Sequence, residues 1–417
     1  MIPKLRFIPL FVSMCAPALL CAQTPAPTSA KIPVRVLGAI SAASKDSMGP
    51  QVVVRALSNG SVLVNDVARR RVVMFDATLA HITSVIDSAG TTGSAMASAV
   101  PSSQLIRYTG DSSLYVDVAT QALLVLDQNG KVARVMALPR PNDAILIALG
   151  AFGPATIDPQ GRLVYRGQFP PKIRPPDPDS PVMMSIPVTP DSGPILRADF
   201  DARKVDTIGT LKVVAPSGIT LTKDGQGNVT MKMLLNPLDA ADEWAMTSDG
   251  SIAIVRAHDY HVDWINTDGS HRSSPKMAFD WKRLSDEQKQ FKIDSIKPLI
   301  EKQIASAPAR TIPTADGPRL MRTQIDLVPM KQMNDYEPPI QPGSVKADLK
   351  GNLWIVPRTS ASANGGVLYD VVNKDGEVKE RVQFPKGYAL AGFGPGDDVY
   401  VLRVEGKTGF LAKAKVK

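Results

Sequence analysis

The chain repeats one pattern of apolar and polar positions: a polar turn ending in Gly or Asp, an apolar strand, a short polar break, and a second strand closing on Asp or Asn. The first half of the pattern occurs as NGSVLVND from Asn59, GDSSLYVD from Gly110, QGRLVYR from Gln160, DGSIAIVR from Asp249, KGNLWIVP from Lys350 and GDDVYVLR from Gly396. Short runs rich in Val, Ile and Leu between Gly, Asp and Asn turns are typical of β-strands. The pattern predicts an all-β protein of tandem units.

One unit shows four strands in succession: VVVRAL from Val52, SVLVND, VVMFDA and ITSVID. Four strands in meander order form one blade of a β-propeller. Since the turn recurs near residues 60, 112, 161, 250, 351 and 397, we predict a six-bladed β-propeller of four-stranded antiparallel blades over residues 32–417. The last unit shows three strands, so the segment from Pro33 to Ile40 is predicted to supply the fourth and to close the ring.

Two insertions interrupt the repeats. Residues 169–194 are dense in Pro and cannot be one regular element throughout. Residues 280–343 begin with a predicted helix, because Ser285 and Gln288 form a capping box before apolar residues at helical spacing. Those apolar residues are Ile293, Ile296, Ile300 and Ile304. Pro298 is expected to kink or restart the helix, and residues 308–343 are read as a Pro- and Met-rich connection.

Residues 1–22 have the build of a secretory signal peptide: a basic start at Lys4 and Arg6, an apolar stretch to Cys21, and small Ala22 at the cleavage point. A retained anchor and a lipoprotein acylated at Cys21 are the alternatives. Residues 23–31, rich in Pro, Ala, Ser and Thr, are predicted to be a flexible linker. We therefore expect an exported, periplasmic or extracellular protein whose mature chain lacks a transmembrane segment.

Both cysteines, Cys15 and Cys21, lie in the signal segment. An exported chain without thiols has no disulfides, thiol nucleophiles or thiolate metal sites. Loss of Lys4 and Arg6 would lower the formal net charge from +8 to +6. Because this positive charge is scattered, nucleic acid is not an expected partner. We expect a monomer.

The tandem units with Asp-Gly and Asn-Gly turns resemble the six-bladed propellers of the NHL-repeat, TolB-like and gluconolactonase-like groups, over residues 33–417. In gluconolactonase-like enzymes, the resemblance implies a divalent metal held in the channel by Glu, Asn and Asp of the inner strands. We find no Glu in the recognisable blade cores before Glu377, and Asn65, Asp66 and Asp117 come closest to such ligands.

The ends of the second strands carry polar side chains at equivalent positions, which could gather at one mouth of the channel. They are Asn65, Asp66, Asp117, Arg166, Arg256, Arg358 and Arg403. Acidic blades opposite Arg-bearing blades would suit a carboxylate, a phosphate or a zwitterion. The alternative is that each side chain caps its own turn or pairs with a neighbouring blade. The first strands add Arg55, Arg107 and Lys346, which would line the channel if they point inward.

Other polar residues favour structural roles. His258 and His261 suggest a metal site, but their spacing and the absence of thiolates favour a solvated turn. The residues at the second turn are predicted to bond local backbone amides. They are Asp76, Asp127, Asp201, Asn266 and Asn373. No hydrolase or nucleotide-binding motif stands in a convincing context.

These features favour an exported binding or interaction module for a small anionic ligand or a partner protein, with no cofactor. The alternative is an extracytoplasmic hydrolase or lyase that uses a divalent metal with Asp66 and Asp117. If Arg256 and Arg403 bind the anion, replacing them with Ala should weaken binding without much loss of stability.

Overall fold

The computed structural model describes residues 32–87, 104–150, 153–175, 186–306, 309–314, 317–358 and 365–417. The predicted signal peptide and linker, residues 1–31, lie outside these ranges, as does part of the predicted insertion 169–194. Residues Pro33–Lys417 form one compact unit. In the described part of the chain, every helix falls short of the length and apolar character that a membrane span requires.

Three four-stranded sheets come first along the chain. Sheet 1 contains β2 (Val52–Ala56), β3 (Val62–Asp66), β4 (Arg71–Phe75) and β5 (Ile82–Ile86). Sheet 2 contains β6 (Ile106–Arg107), β7 (Ser113–Asp117), β8 (Ala122–Leu126) and β9 (Val132–Ala137). Sheet 3 contains β10 (Thr156–Ile157), β11 (Leu163–Arg166), β14 (Ser192–Asp199) and β15 (Lys204–Lys212).

Three more sheets of four strands each follow along the chain. Sheet 4 contains β18 (Glu243–Met246), β19 (Ile252–Arg256), β20 (His261–Ile265) and β21 (His271–Ser273). Sheet 5 contains β24 (Val345–Ala347), β25 (Leu353–Ile355), β26 (Leu368–Val372) and β27 (Val378–Gln383). Sheet 6 contains β28 (Tyr388–Phe393), β29 (Asp398–Glu405), β30 (Thr408–Val416) and β1 (Val34–Met48). Within each of the six sheets, neighbouring strands are antiparallel.

Strand β1 joins the two ends of the chain. It runs antiparallel to β30, where Leu37 pairs with Val416 and Met48 with Gly409. The predicted pairing of the N-terminal segment with the last unit is therefore present. The start of β1 also pairs in parallel with β27, where Val34 lies opposite Arg381. This second pairing was not predicted, and it merges sheets 5 and 6 into one eight-stranded sheet.

Apolar clusters lie between successive sheets. Each cluster combines buried residues of one sheet with those of the next, and a sixth cluster combines sheet 6 with sheet 1. Representative pairs are Leu63 and Tyr115, Leu123 and Leu163, Val164 and Ile254, Trp264 and Leu353, Val371 and Val401, and Leu402 and Val64. Face-to-face packing of consecutive four-stranded meanders is consistent with a β-propeller.

Turn chemistry explains why the strands end where they do. Gly60 has φ 87° in the turn between β2 and β3, and Gly250 has φ 90° in the turn between β18 and β19. Glycine adopts this region without the steric cost that a side chain would add. Asp76, Asp127 and Asn373 accept local backbone N–H groups as predicted, and two positions need correction. Asp268, and not Asn266, accepts the Ser270 N–H, whereas Asn266 Nδ2 donates to the Ser270 hydroxyl. Asp199, and not Asp201, accepts the local backbone N–H groups, those of Asp201 and Ala202.

The insertions contain more regular structure than the sequence predicted. Strands β12 (Lys172–Arg174) and β13 (Ile186–Val188) form a two-stranded sheet within residues 169–194. Strands β16 (Gly218–Lys223), β17 (Val229–Leu235), β22 (Arg310–Thr314) and β23 (Gly317–Leu327) form a further four-stranded sheet. The interpretation of residues 308–343 as a connection was therefore wrong. Strands β22 and β23 pair antiparallel with each other, and β23 also pairs in parallel with β17, which lies far away in the sequence.

The helical insertion follows the prediction at its start. The Ser285 N–H donates to Gln288 Oε1 at 2.9 Å, and the Gln288 N–H donates to Ser285 Oγ at 3.3 Å. This reciprocal pair confirms the capping box. Helix α2 (Asp286–Ser306) runs through Pro298 as one element, so the predicted restart there was wrong. The described helices also include short α1 (Ala144–Ala148) and three 3₁₀ turns at Pro141–Asp143, Met330–Gln332 and Pro395–Asp397.

Candidate functional site

One cavity of about 620 Å³ is lined by the first strand, or the residues just before it, of all six sheets. Each sheet contributes backbone and side chains at its inner edge. Examples from sheets 1 to 6 are Val54, Ile106, Thr156, Ala245, Val345 and Ala391. A cavity of this size falls in the range that holds small organic ligands. Since the six first strands meet there, any side chain that points inward from them shares one space.

Arg55 and Arg107 form a cationic group on the side of sheets 1 and 2. The Arg55 side chain is buried, and its Nη2 lies 4.0 Å from Asp111 Oδ1. Asp111 is fixed in turn by the Ser58 backbone N–H, at 3.0 Å from Oδ1. Burial, reinforced by the charge of Arg107 and opposed by Asp111, lowers the pKa of Arg55 to about 10. The Arg107 side chain is exposed in the cavity and forms no hydrogen bond or ion pair with another described residue.

Glu243 and Lys346 form a second charged group on the side of sheets 4 and 5. The buried carboxylate of Glu243 accepts the Gly343 backbone N–H at 2.9 Å. Burial raises the pKa of Glu243 to about 7, against the opposing effects of that hydrogen bond and of the positive charges of Arg166 and Lys346. At neutral pH both the protonated and the ionised form of this carboxyl group are therefore populated.

Lys346 is exposed to the cavity, yet the surrounding protein encloses it. This desolvation lowers the pKa of Lys346, and the negative charge of Glu243 opposes the shift. The Lys346 ammonium group donates no hydrogen bond to the described residues and forms no ion pair with them. We call Arg55, Arg107, Glu243 and Lys346 the cavity set.

Glu243 corrects the statement that the blade cores lack Glu before Glu377. It begins β18, the first strand of sheet 4. A usable signal was present in the sequence. Ala245 stands as many residues before Gly250 as Arg55 does before Gly60, and Glu243 lies two residues earlier on the same face of its strand.

The remaining predicted site residues do not line this cavity. We call them the strand-end set: Asn65, Asp66, Asp117, Arg166, Arg256, Arg358 and Arg403. Of the nine predicted ligand-binding residues, the cavity brings together Arg55 and Arg107. Lys346, predicted alongside them, also lines it. Arg166 lies close enough to Glu243 to act on its pKa.

The acidic and amide members of the strand-end set have local partners. Asp66 is fully buried and accepts the Gly49 N–H at 3.0 Å and Arg71 Nε at 3.2 Å. Asp117 accepts the Thr120 hydroxyl at 2.6 Å within its own turn. Asn65 Nδ2 donates to the Gln104 carbonyl at 3.3 Å and so joins sheet 1 to the segment before β6. These contacts match the structural alternative.

Arg256 is the most strongly bonded arginine of the strand-end set. Its Nε lies 2.6 Å from Asp263 Oδ2, and its Nη1 lies 2.7 Å from Asp242 Oδ2. These two carboxylates outweigh burial and raise the pKa of Arg256. Since Asp242 also accepts the Lys212 N–H at 2.8 Å, the cluster joins sheet 4 to sheet 3.

Two other arginines of the strand-end set pair outside the cavity. Arg358 Nη1 lies 3.6 Å from Glu337 Oε1. Arg403 Nε lies 3.2 Å from Glu405 Oε1, and its guanidinium sits over the Phe410 ring at 5.4 Å. Their positions at the ends of second strands do not bring them together at one mouth.

The residues of the cavity do not fit a divalent cation. Such an ion requires several oxygen ligands, whereas the cavity offers the carboxylates of Glu243 and Asp111 beside three cations. Among the described residues, no group of three His, Cys, Asp or Glu side chains could hold a metal. His261 uses both ring nitrogens on carboxylates, at 2.6 Å to Asp259 Oδ1 and 3.1 Å to Asp263 Oδ1.

No protein-family model and no curated protein matches the chain. Among solved structures, the chain is similar to a gluconolactonase from Xanthomonas campestris, at 9% identity over 93% of this chain and 99% of that one, with a TM-score of 0.38. A virginiamycin B lyase from Staphylococcus aureus matches at 9% identity over 88% and 98%, with a TM-score of 0.38. A regucalcin from Agrobacterium tumefaciens matches at 11% over 92% and 96%, with a TM-score of 0.38. Similarity this low carries no argument about activity.

Proposed function

We propose that the chain is a six-bladed β-propeller whose ring closes between β1 and β30, and that it binds a small organic anion in the central cavity. Packing of each sheet on the next, and of sheet 6 on sheet 1, supports the ring. The ring explains why six first strands share one cavity.

The observation that carries the proposed binding is the charge of the cavity. Arg55, Arg107 and Lys346 reach it from three different sheets, against the two acids Asp111 and Glu243. Arg107 and Lys346 have no ion-pair partner among the described residues. Three cations beside two acids in one cavity favour a bound anion, because the anion replaces the hydration that the cations lose. Apolar residues along the same walls favour an organic anion over an inorganic one.

Isothermal titration calorimetry on the purified protein tests this proposal. Adding organic acids at low ionic strength should give saturable binding that weakens as salt is raised, because the attraction is electrostatic. Arg107→Gln and Lys346→Gln should each weaken binding about tenfold, the factor for one lost charged contact of about 1.4 kcal/mol. Arg403→Gln is the matched control, since its partner Glu405 lies outside the cavity, and it should bind like the unchanged protein. Equal binding by all variants would place the anion elsewhere.

We also propose that the protein is exported and acts as a monomer. The basic start, apolar stretch and small residue of residues 1–22 support export. N-terminal sequencing of the protein recovered from the periplasm or medium should begin near residue 23. A chain that keeps its first residues and stays in the cytoplasm would contradict export. The donor set of the cavity gives no support to the metal-dependent alternative, so addition of Ca²⁺ or Mg²⁺ should leave the thermal midpoint unchanged.

A further inference from the structure

The cationic residues of the cavity fall into two separate groups. Arg55 interacts electrostatically with Arg107 and Asp111. Lys346 interacts with Glu243 instead. The first group belongs to sheets 1 and 2, and the second to sheets 4 and 5. In the proposed ring of six these pairs of sheets lie on opposite sides, so the cavity has two positive poles facing each other.

The walls between the two poles are uncharged. Sheet 6 contributes Ala389, Ala391 and Phe393, and the segment at β10 in sheet 3 contributes Ala155 and Thr156. None of the described cavity-lining residues from sheets 3 and 6 is charged. An apolar ligand body would gain by leaving water against these walls.

The cavity wall formed by sheet 6 is also tightly packed against sheet 1. A Cβ added at Gly392 would lie 3.1 Å from Val54 Cβ, tighter than ordinary contact. The backbone of β28 therefore packs closely on β2, and this packing fixes the wall beside the Arg55 pole.

We infer that the ligand is an organic dianion with one acid group at each end of an apolar body, of the dicarboxylate class. This inference rests on the proposed anion-binding function. A monoanion would neutralise one pole and leave the other cation enclosed without a partner. A small inorganic anion would reach one pole and leave the apolar walls wet. A zwitterion would set its ammonium group against Lys346 or the two arginines, which like-charge repulsion opposes.

Protonation of Glu243 assists the same ligand. When the carboxyl group is neutral it no longer competes for Lys346, so the second pole carries its full positive charge. The groups facing Glu243 are Lys346, Arg166, Asp242 and the Gly343 N–H. Binding of a dianion should therefore be stronger at mildly acidic pH than at alkaline pH.

Calorimetry with matched probes tests the inference. A series from butanedioate to decanedioate is compared with the monocarboxylates of equal length, with sulfate and with the corresponding ω-amino acids. One dicarboxylate of the series should bind about tenfold or more tightly than its monocarboxylate, which corresponds to about 1.4 kcal/mol. The ω-amino acid of that length should bind no better than the monocarboxylate.

The two poles give the second part of the test. Arg107→Gln and Lys346→Gln should each reduce the affinity for the dicarboxylate to that for the monocarboxylate, while Arg403→Gln should keep the full difference. Thermal unfolding midpoints equal to that of the unchanged protein confirm that the variants fold.

The outcomes separate this inference from the proposed function. Equal affinities for monocarboxylates and dicarboxylates, or preference for sulfate or the ω-amino acid, would overturn the dicarboxylate ligand and leave anion binding intact. Absence of binding by every probe would overturn both.

Discussion

The cavity set and the strand-end set contain the same types of charged residue but place them in different surroundings. Arg107 in the cavity set has no ion-pair partner among the described residues, whereas Arg256 in the strand-end set lies within 2.7 Å of two carboxylates. Lys346 faces the cavity, whereas Asp66 is fully buried among donors. Charge alone therefore does not mark a binding residue in this fold. The strand on which the charge stands decides whether it lines the cavity or lies at a strand end beside local partners.

The geometry of four-stranded sheets explains the difference. First strands converge on the shared cavity, so their inward side chains face that space. Second strands are paired on both sides, and the turns at their ends bring polar groups of the same hairpin or the next sheet close. A polar side chain there finds a partner locally and loses the freedom to bind a ligand.

The largest expected effect concerns Glu243 in the cavity set. The pKa is raised from 4.5 to about 7, so the folded protein keeps a proton that the unfolded chain releases in this window. The free energy of unfolding should therefore fall as pH rises from 4.5 to above about 7. The total fall should be on the order of 3 kcal/mol, because one pKa unit corresponds to about 1.36 kcal/mol. Glu243→Gln should flatten that fall.

Urea unfolding of both proteins at a series of pH values measures this effect. The matched control is Glu405→Gln, which alters an exposed acid paired with Arg403 and should leave the pH profile unchanged. Identical profiles for Glu243→Gln and the unchanged protein would show that Glu243 is not desolvated.

The next largest effect concerns Arg256 in the strand-end set. Arg256→Ala removes the cation between Asp242 and Asp263 and should lower the free energy of unfolding by about 2 kcal/mol, because Asp242 stays buried without its charged donor. This outcome replaces the expectation that the substitution would cost little stability. Chemical unfolding monitored by tryptophan fluorescence provides the measurement. A loss within about 0.5 kcal/mol, the usual range for surface changes, would return Arg256 to the ligand-binding candidates.

The smallest effect concerns Arg403. Its side chain is 48% exposed, and its ion pair with Glu405 stands in solvent. Exposed pairs contribute about 0.2–1 kcal/mol, so Arg403→Ala should change stability by no more than that. Anion affinity should stay unchanged, since the residue lies outside the cavity. A clear loss of affinity with intact stability would restore the predicted mouth pocket.

Much of the fold could be predicted because it depends on short-range patterns. The four strands of sheet 1 were assigned from alternation and turn residues, and the capping box at Ser285 was read from two positions three residues apart. The four-stranded sheet formed by β16, β17, β22 and β23 was missed, because Val229 pairs with Met321 across a long stretch of chain. A helix and a Pro-rich segment separate these two strands in the sequence, so their shared strand pattern is interrupted.

The site was predicted in part for a related reason. Arg55, Arg107 and Lys346 could be named as candidates because first strands line the channel of a propeller. The sequence left open whether each one points inward. Glu243 was overlooked although the same alternation places it on the inward face, and Arg256 was named for a role that its two carboxylate partners argue against.

By itself the sequence determined the strands of the tandem units, their turns and the capped helix. Hydrophobic alternation, glycine at positive φ and Asp or Asn turns act within a few residues of each other. The tertiary structure decided which charged side chains share a cavity and which are neutralised by neighbours. That outcome depends on contacts between sheets distant in sequence, where burial and the nearest counter-charge set both the pKa and the freedom of each group.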